Sequence, residues 1–158
     1  MKTALQYLLF FCFFFSFTSC DKNRVFEENQ DIAEFEWTYD DSLSFNISIY
    51  DNSPKNLYIN FRHSQSFPKR NLRLNMEVKF PNGELKKHAV NVLLTEPNGM
   101  WFGKCSGDIC AVPFPIKEYT NYSFKDSGIY EFTLSQDMRI NPLPEIMSVG
   151  LRLENTAQ

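Results

Sequence analysis

The sequence predicts an all-β protein, an antiparallel β-sandwich preceded by a cleaved signal peptide and a short tether. Three observations carry this. Apolar residues recur with period two in several stretches, the mark of strands that bury one face. Turn clusters such as Asp51-Asn52-Ser53-Pro54, Pro81-Asn82-Gly83 and Pro97-Asn98-Gly99 separate those stretches. No stretch after residue 20 holds a convincing helical period.

The chain opens on an export signal. Lys2 is the only charge before Asp21, residues 5–17 are almost wholly apolar with six phenylalanines, and Phe17-Thr18-Ser19-Cys20 follows. A basic tip, a short apolar run and small residues make a secretory signal, too short for a span of roughly 20 apolar residues. A cysteine after two small residues matches the site at which bacterial lipoproteins are acylated and cut. Cys20 is therefore the expected lipid attachment, and several acyl chains hold a protein to a bilayer far better than one. Residues 1–19 are the expected signal peptide, 20–41 the lipidated N-terminus and lead-in, and 42–158 the sandwich domain.

Strands are expected over 43–49, where Leu43, Phe45, Ile47 and Ile49 alternate with polar residues, and over 57–61 and 72–80 on the same pattern. The pair Asn82-Gly83 suits a tight hairpin, with a return strand through about Ala89 to Thr95. Pro113 and Pro115 keep their segment out of a sheet interior. Tyr122 and Phe124 suggest a short strand. Further strands are expected over 129–135 and around Val149, Leu151 and Leu153. Residues 136–146 leave room for a helical turn. The run from Asp126 to Phe132 resembles the tyrosine-corner strand of immunoglobulin-like domains, which makes the expected sandwich immunoglobulin-like.

Chemistry is sparse. The net charge of −3 carries no long run of one sign, which argues against nucleic acid as a partner. Nucleophile-elbow, zinc-protease and phosphate-loop motifs are missing, so no enzyme activity, cofactor, metal or small-molecule substrate is expected. Cys105 and Cys110 would meet an oxidising compartment, which favours a disulfide. Free thiols are the alternative, and a metal pair would need two further ligands. Asp40, Asp41 and Asp51 are either calcium ligands at one sandwich end or solvated turn carboxylates. Trp37 and Trp101 are either a sugar-stacking pair or core residues. The loop from Pro97 to Pro115 carries more apolar mass than a free loop needs. Trp101, Phe102, Ile109 and Phe114 are its candidate partner-binding residues, the competing reading being a lid over one end of the sandwich.

Several runs resemble one family in order and spacing. They are Cys20-Asp21-Lys22-Asn23-Arg24-Val25-Phe26, Asn56-Leu57-Tyr58-Ile59-Asn60-Phe61-Arg62, Pro97-Asn98-Gly99-Met100-Trp101-Phe102-Gly103-Lys104, Ser127-Gly128-Ile129-Tyr130 and Val149-Gly150-Leu151-Arg152-Leu153-Glu154. The chain is similar to the gliding-motility lipoproteins of the GldH family. Cys105 and Cys110 are not part of that pattern. The resemblance implies a Bacteroidota lipoprotein that supports assembly or stability of the gliding machinery and its linked type IX secretion system. It implies a membrane anchor, partners among envelope or motility proteins, and no catalysis. Asp41-Ser42-Leu43 is similar to the three-residue O-glycosylation site of that phylum, with Ser42 as acceptor. No compact acidic cluster follows Cys20, so the domain is expected to face the periplasm from the outer membrane. A lipid-anchored glycan-binding module is the alternative.

Overall fold

The computed structural model describes residues 23–156. Cys20, the signal peptide and its cleavage point lie outside the described residues. Eleven strands run in chain order: β1 Arg24–Asp31, β2 Glu36–Trp37, β3 Leu43–Ile49, β4 Lys55–Ser64, β5 Asn71–Lys79, β6 Leu85–Leu93, β7 Lys104–Ser106, β8 Ile109–Pro115, β9 Gly128–Gln136, β10 Leu143–Pro144 and β11 Ile146–Asn155. Short 3-10 turns occupy Ala33–Phe35 and Lys117–Tyr119. Among the described residues no helix is long and apolar enough to cross a membrane.

Two antiparallel sheets pack face to face. One has the order β1-β11-β4-β8-β7 and the other β3-β9-β5-β6, while β2 and β10 form a small clasp. The alternating strands explain the layers. In β3 every odd residue from Leu43 to Ile49 is buried, and every even one faces solvent. Leu72, Leu74, Met76 and Val78 of β5 and Val149, Leu151 and Leu153 of β11 do the same from their own sheets. These faces make one continuous core.

The tyrosine corner forms. The Tyr130 hydroxyl donates to the Asp126 carbonyl at 2.8 Å, and burial of the ring pushes the phenol's pKa up. The strand order, however, corrects the immunoglobulin-like expectation. Setting β2, β7 and β10 aside, the sheets read first-eighth-third-sixth and second-seventh-fourth-fifth. That is the double Greek key of a jelly roll. In the immunoglobulin order the second and first strands share a sheet. Here β1 and β3 lie on opposite sheets, because the clasped segment of residues 32–42 carries the chain across.

Two local expectations also change. Tyr122 and Phe124 form no strand; Tyr122 makes one isolated bridge to Lys55. Their segment contributes rings rather than backbone. Phe124 stacks on Tyr119 with centroids 5.9 Å apart and meets Tyr130 edge-on at 5.0 Å, closing that end of the core. Residues 136–146 hold no helical turn. Buried Gln136 instead accepts from the Met138 N–H at 2.9 Å and donates towards the carbonyls of Trp37 and Ile140.

The lead-in joins the fold from its start. β1 pairs with β11 from Arg24↔Glu154 to Asp31↔Ser148, and the Asn155 N–H donates to the Asn23 carbonyl at 2.8 Å. β1 buries none of its residues fully, and its exposed Glu27, Glu28 and Asp31 protect a sheet edge from further pairing. Gly150 makes its approach feasible. A Cβ there would stand 2.2 Å from Asn29 Oδ1 and 2.3 Å from the Glu28 carbonyl oxygen.

Candidate functional site

The loop from Pro97 to Pro115 resolves into a hairpin, a cystine and an edge strand. Asn98 and Gly99 turn the first hairpin: Gly99 takes φ 88°, and Asn98 Oδ1 accepts from the Met100 N–H at 2.9 Å. A bridge joins Thr95 to Trp101, and the Phe102 N–H donates to the Leu94 carbonyl at 2.8 Å. Gly103 follows at φ 84°, where a Cβ would meet the Ala111 carbonyl oxygen at 2.1 Å, so only glycine fits. Cys105 and Cys110 then face each other across the β7–β8 register and are joined as a disulfide. Gln65 pins the hairpin tip, donating its backbone N–H to Asp108 O at 2.8 Å and its side-chain Nε2 to Gly107 O at 2.7 Å.

The four candidate partner residues part company. Trp101 is half-buried and turns inward, its ring centroid 4.5 Å from that of His63. His63 is fully buried between Phe61, Phe67 and Trp101, and its Nδ1 bonds the Ser64 carbonyl at 2.8 Å. Its Nε2 has no partner among the described residues, and burial pulls its pKa below the usual histidine value. Trp101 is thus the lid residue over this end. Phe102 and Phe114 face the same way and line one groove. Ile109 sits on the opposite face of β8, because odd residues of that strand point outward and Cys110, Val112 and Phe114 inward.

That groove is the candidate site. It is a cleft of about 440 Å³ lined by Leu93, Phe102, Gly103, Val112, Pro113, Phe114 and Pro115. It opens between the free edge of β6 and the stretch of β8 beyond its pairing with β7, on the flank opposite β1. Leu93 in the groove and Met100 at the hairpin turn are strongly exposed, at 47% and 60%. Backbone pairing is disabled along the β8 side. The Ile116 N–H donates to Leu57 O, so by the register Phe114 and Val112 point their N–H groups at β4. The groove-facing positions fall to Pro113 and Pro115, which have no N–H to offer. No strand can therefore be added along the β8 side, which presents apolar side chains to the groove instead.

A larger hollow of about 720 Å³ crosses the outer face of the four-stranded sheet. Ser42, Asn75, Met76, Glu77, Lys87, His88, Ala89, Thr133 and Ser135 line it; its one ring, that of His88, is partly buried against Tyr119, which leaves a sugar no exposed ring face to stack on. Size alone favours it, but its shallow polar floor already satisfies itself through pairs such as Glu77–Lys87 at 2.7 Å and Ser44–Thr133 at 3.0 Å. Ser42 stands exposed at its rim.

The remaining candidates are placed plainly. Trp37 is fully buried, its Nε1 donating to Asp41 O at 2.7 Å, so Trp37 and Trp101 form no exposed stacking pair and the glycan-binding alternative loses its support. Asp51 and the Asp40–Asp41 pair lie at opposite ends of the sandwich and cannot share an ion. Asp51 instead serves Lys55, whose fully buried ammonium reaches Asp51 Oδ1 at 2.7 Å, Ser53 Oγ at 2.6 Å and Asn155 Oδ1 at 2.9 Å. Its bond to Lys55 holds the Asp51 carboxyl down at about 2. Sequence reasoning missed His63 and Lys55; the one usable signal was a polar residue at an inward position of β4.

Fold and site together define an all-β domain with an open apolar groove and, among the described residues, no cluster of His, Cys, Asp or Glu placed to hold a metal. The chain belongs to the GldH lipoprotein family, whose model matches residues 24–153. It is 33% identical to the gliding motility lipoprotein GldH homolog of Christiangramia forsetii, over 99% of each chain. It is 29% identical to the gliding motility lipoprotein GldH of Flavobacterium johnsoniae, over 86% of this chain and 87% of that one. Neither name describes an enzyme. Among solved structures, a family GH115 4-O-methyl-alpha-glucuronidase aligns with a TM-score of 0.43 and 12% identity, covering 90% of this chain and 19% of that one. A CBM28 carbohydrate-binding module specific for non-crystalline cellulose aligns at 0.41 and 6%, covering 82% of this chain and 70% of that one.

Proposed function

We propose that this motility-family lipoprotein supports assembly or stability of the gliding machinery and its linked type IX secretion system through protein contacts. Cys20 carries the lipid, and the domain faces the periplasm from the outer membrane. The observation that carries the reading is the groove of Leu93, Phe102 and Phe114. It is apolar and open, its β8 side is barred from strand addition, and it suits inserted side chains of another protein. Ser42 is exposed and available to an O-glycan.

The test is a deletion strain complemented with Leu93→Ser and Phe102→Ser together. The account expects normal abundance and anchoring with spreading and type IX secretion lost. Wild-type spreading and secretion from that variant would remove the groove from the function. Protease added to intact cells should spare the domain while permeabilisation exposes it.

A further inference from the structure

We infer that the end of the sandwich bearing Tyr50, Leu85 and Ile129 rests on the bilayer surface itself. The inference builds on the assignment of the lipid to Cys20 and adds an orientation to it. Asn23 is already bonded into the fold through Asn155, so only Asp21 and Lys22 separate the fold from Cys20. Three steps of extended chain reach about 11 Å at most. The long strands β4 and β11 have 10 residues each, or about 33 Å. One end of the domain is therefore held at the membrane and the other stands well away from it.

Hydrogen bonds identify the near end. The Thr156 N–H donates to Pro54 O at 3.0 Å, and Lys55 Nζ bonds Asn155, which places the turn of residues 50–54 beside Asn23. β3 arrives at that turn with Ile49 opposite Gly128, and the β5–β6 hairpin closes at the same end with Lys79 opposite both Glu131 and Leu85. Tyr50, Ile129 and Leu85 thus share the near end of the four-stranded sheet, exposed at 71%, 56% and 48%, with Val25 of β1 at 39%. Further along the outer face of β3, β5 and β9 the residues are polar, Ser44, Asn46, Asn75 and Thr133 among them, and on β6 Leu93 stands exposed at the far end. Phe35, Tyr39, Leu93 and Met100 are exposed elsewhere on the domain, but only the group of Tyr50, Leu85, Ile129 and Val25 lies at the end that the tether holds down. Two lysines beside it are paired in place, Lys79 with Glu131 at 3.8 Å and Lys86 with Glu84 at 3.4 Å. Paired charges and an amphipathic tyrosine suit the headgroup boundary of a bilayer. A gap of about 11 Å leaves little room for a folded protein between the two.

The test uses the full-length acylated protein in phosphatidylethanolamine–phosphatidylglycerol vesicles with brominated acyl chains, which quench tryptophan at the membrane. Tyr50→Trp and Phe35→Trp are compared after subtracting wild-type emission, Phe35 being exposed at the far end. Quenching at least threefold stronger for Tyr50→Trp is expected, falling by half or more when Leu85→Ser and Ile129→Ser are added. Equal quenching at both positions, with intact mass showing acylated Cys20, overturns the orientation and leaves the anchor standing. Unchanged quenching after the two serine substitutions overturns the contact. Unmodified Cys20 in the purified membrane protein overturns both.

Discussion

Trp101→Ala separates a lid residue from an interface anchor. The indole covers His63 at 4.5 Å and packs on the main core with only part of its surface open. Full burial of a tryptophan makes its truncation cost roughly 3–5 kcal/mol. Partial burial puts Trp101→Ala below that range, at about 2 kcal/mol. For a domain of this size that is a fall in Tm of about 8 °C at roughly 4 °C per kcal/mol. The loss should come with a destabilised hairpin, since Trp101 bridges Thr95 and the Phe102 N–H is held by Leu94. Thermal melting of the oxidised protein by circular dichroism reads it directly, with Trp101→Phe expected to recover more than half. A Tm within about 2 °C of wild type would refute the lid argument. If that stable variant also lost spreading, Trp101 would be a contact residue instead.

Three further outcomes follow from the geometry. Gly150→Ala should drive β1 off β11, because its Cβ meets a backbone oxygen at 2.3 Å; hydrogen exchange should speed up across residues 24–31 while β3 and β9 hold, and unchanged protection there would contradict the packing. Cys105→Ser with Cys110→Ser opens a short loop across one hairpin, so denaturant melts should show a loss of only about 2 kcal/mol with the fold intact. His63 resists protonation when folded, whereas the unfolded chain takes its proton near 6.5. Stability should therefore hold above that pH and fall as pH drops below it, by at most about 1.4 kcal/mol per unit. His63→Leu should lack that decline between pH 7 and 5, and parallel curves for the two proteins would refute the assignment.

Legibility followed burial. β3, β5, β9 and β11 each bury one face, so their alternation could be read directly from Leu43, Leu72, Tyr130 or Val149. β1 shows no such pattern because an edge strand with both faces largely exposed imposes none, so residues 20–41 read only as a lead-in. The jelly-roll order depends on pairings such as Arg24↔Glu154 between the two ends of the chain, which no local pattern encodes. At the site, the apolar weight of residues 97–115 was legible but its division was not. Pro113 and Pro115 masked the strand, and with it the period that sends Phe114 into the groove and Ile109 to the far face. His63 was hidden for another reason. Its neighbours Phe61, Phe67 and Trp101 come from three separate segments, and only the fold makes them one box.

The central claim is that the groove between β6 and β8 holds another protein. Site-specific photocrosslinking in living cells tests it most directly, with a benzophenone side chain at Leu93 in the groove or at Asn46 on the outer face of the other sheet. The account predicts a discrete heavier protein adduct from Leu93 on illumination and none from Asn46. An adduct from Asn46 alone, or from neither position in cells that spread normally, would contradict it.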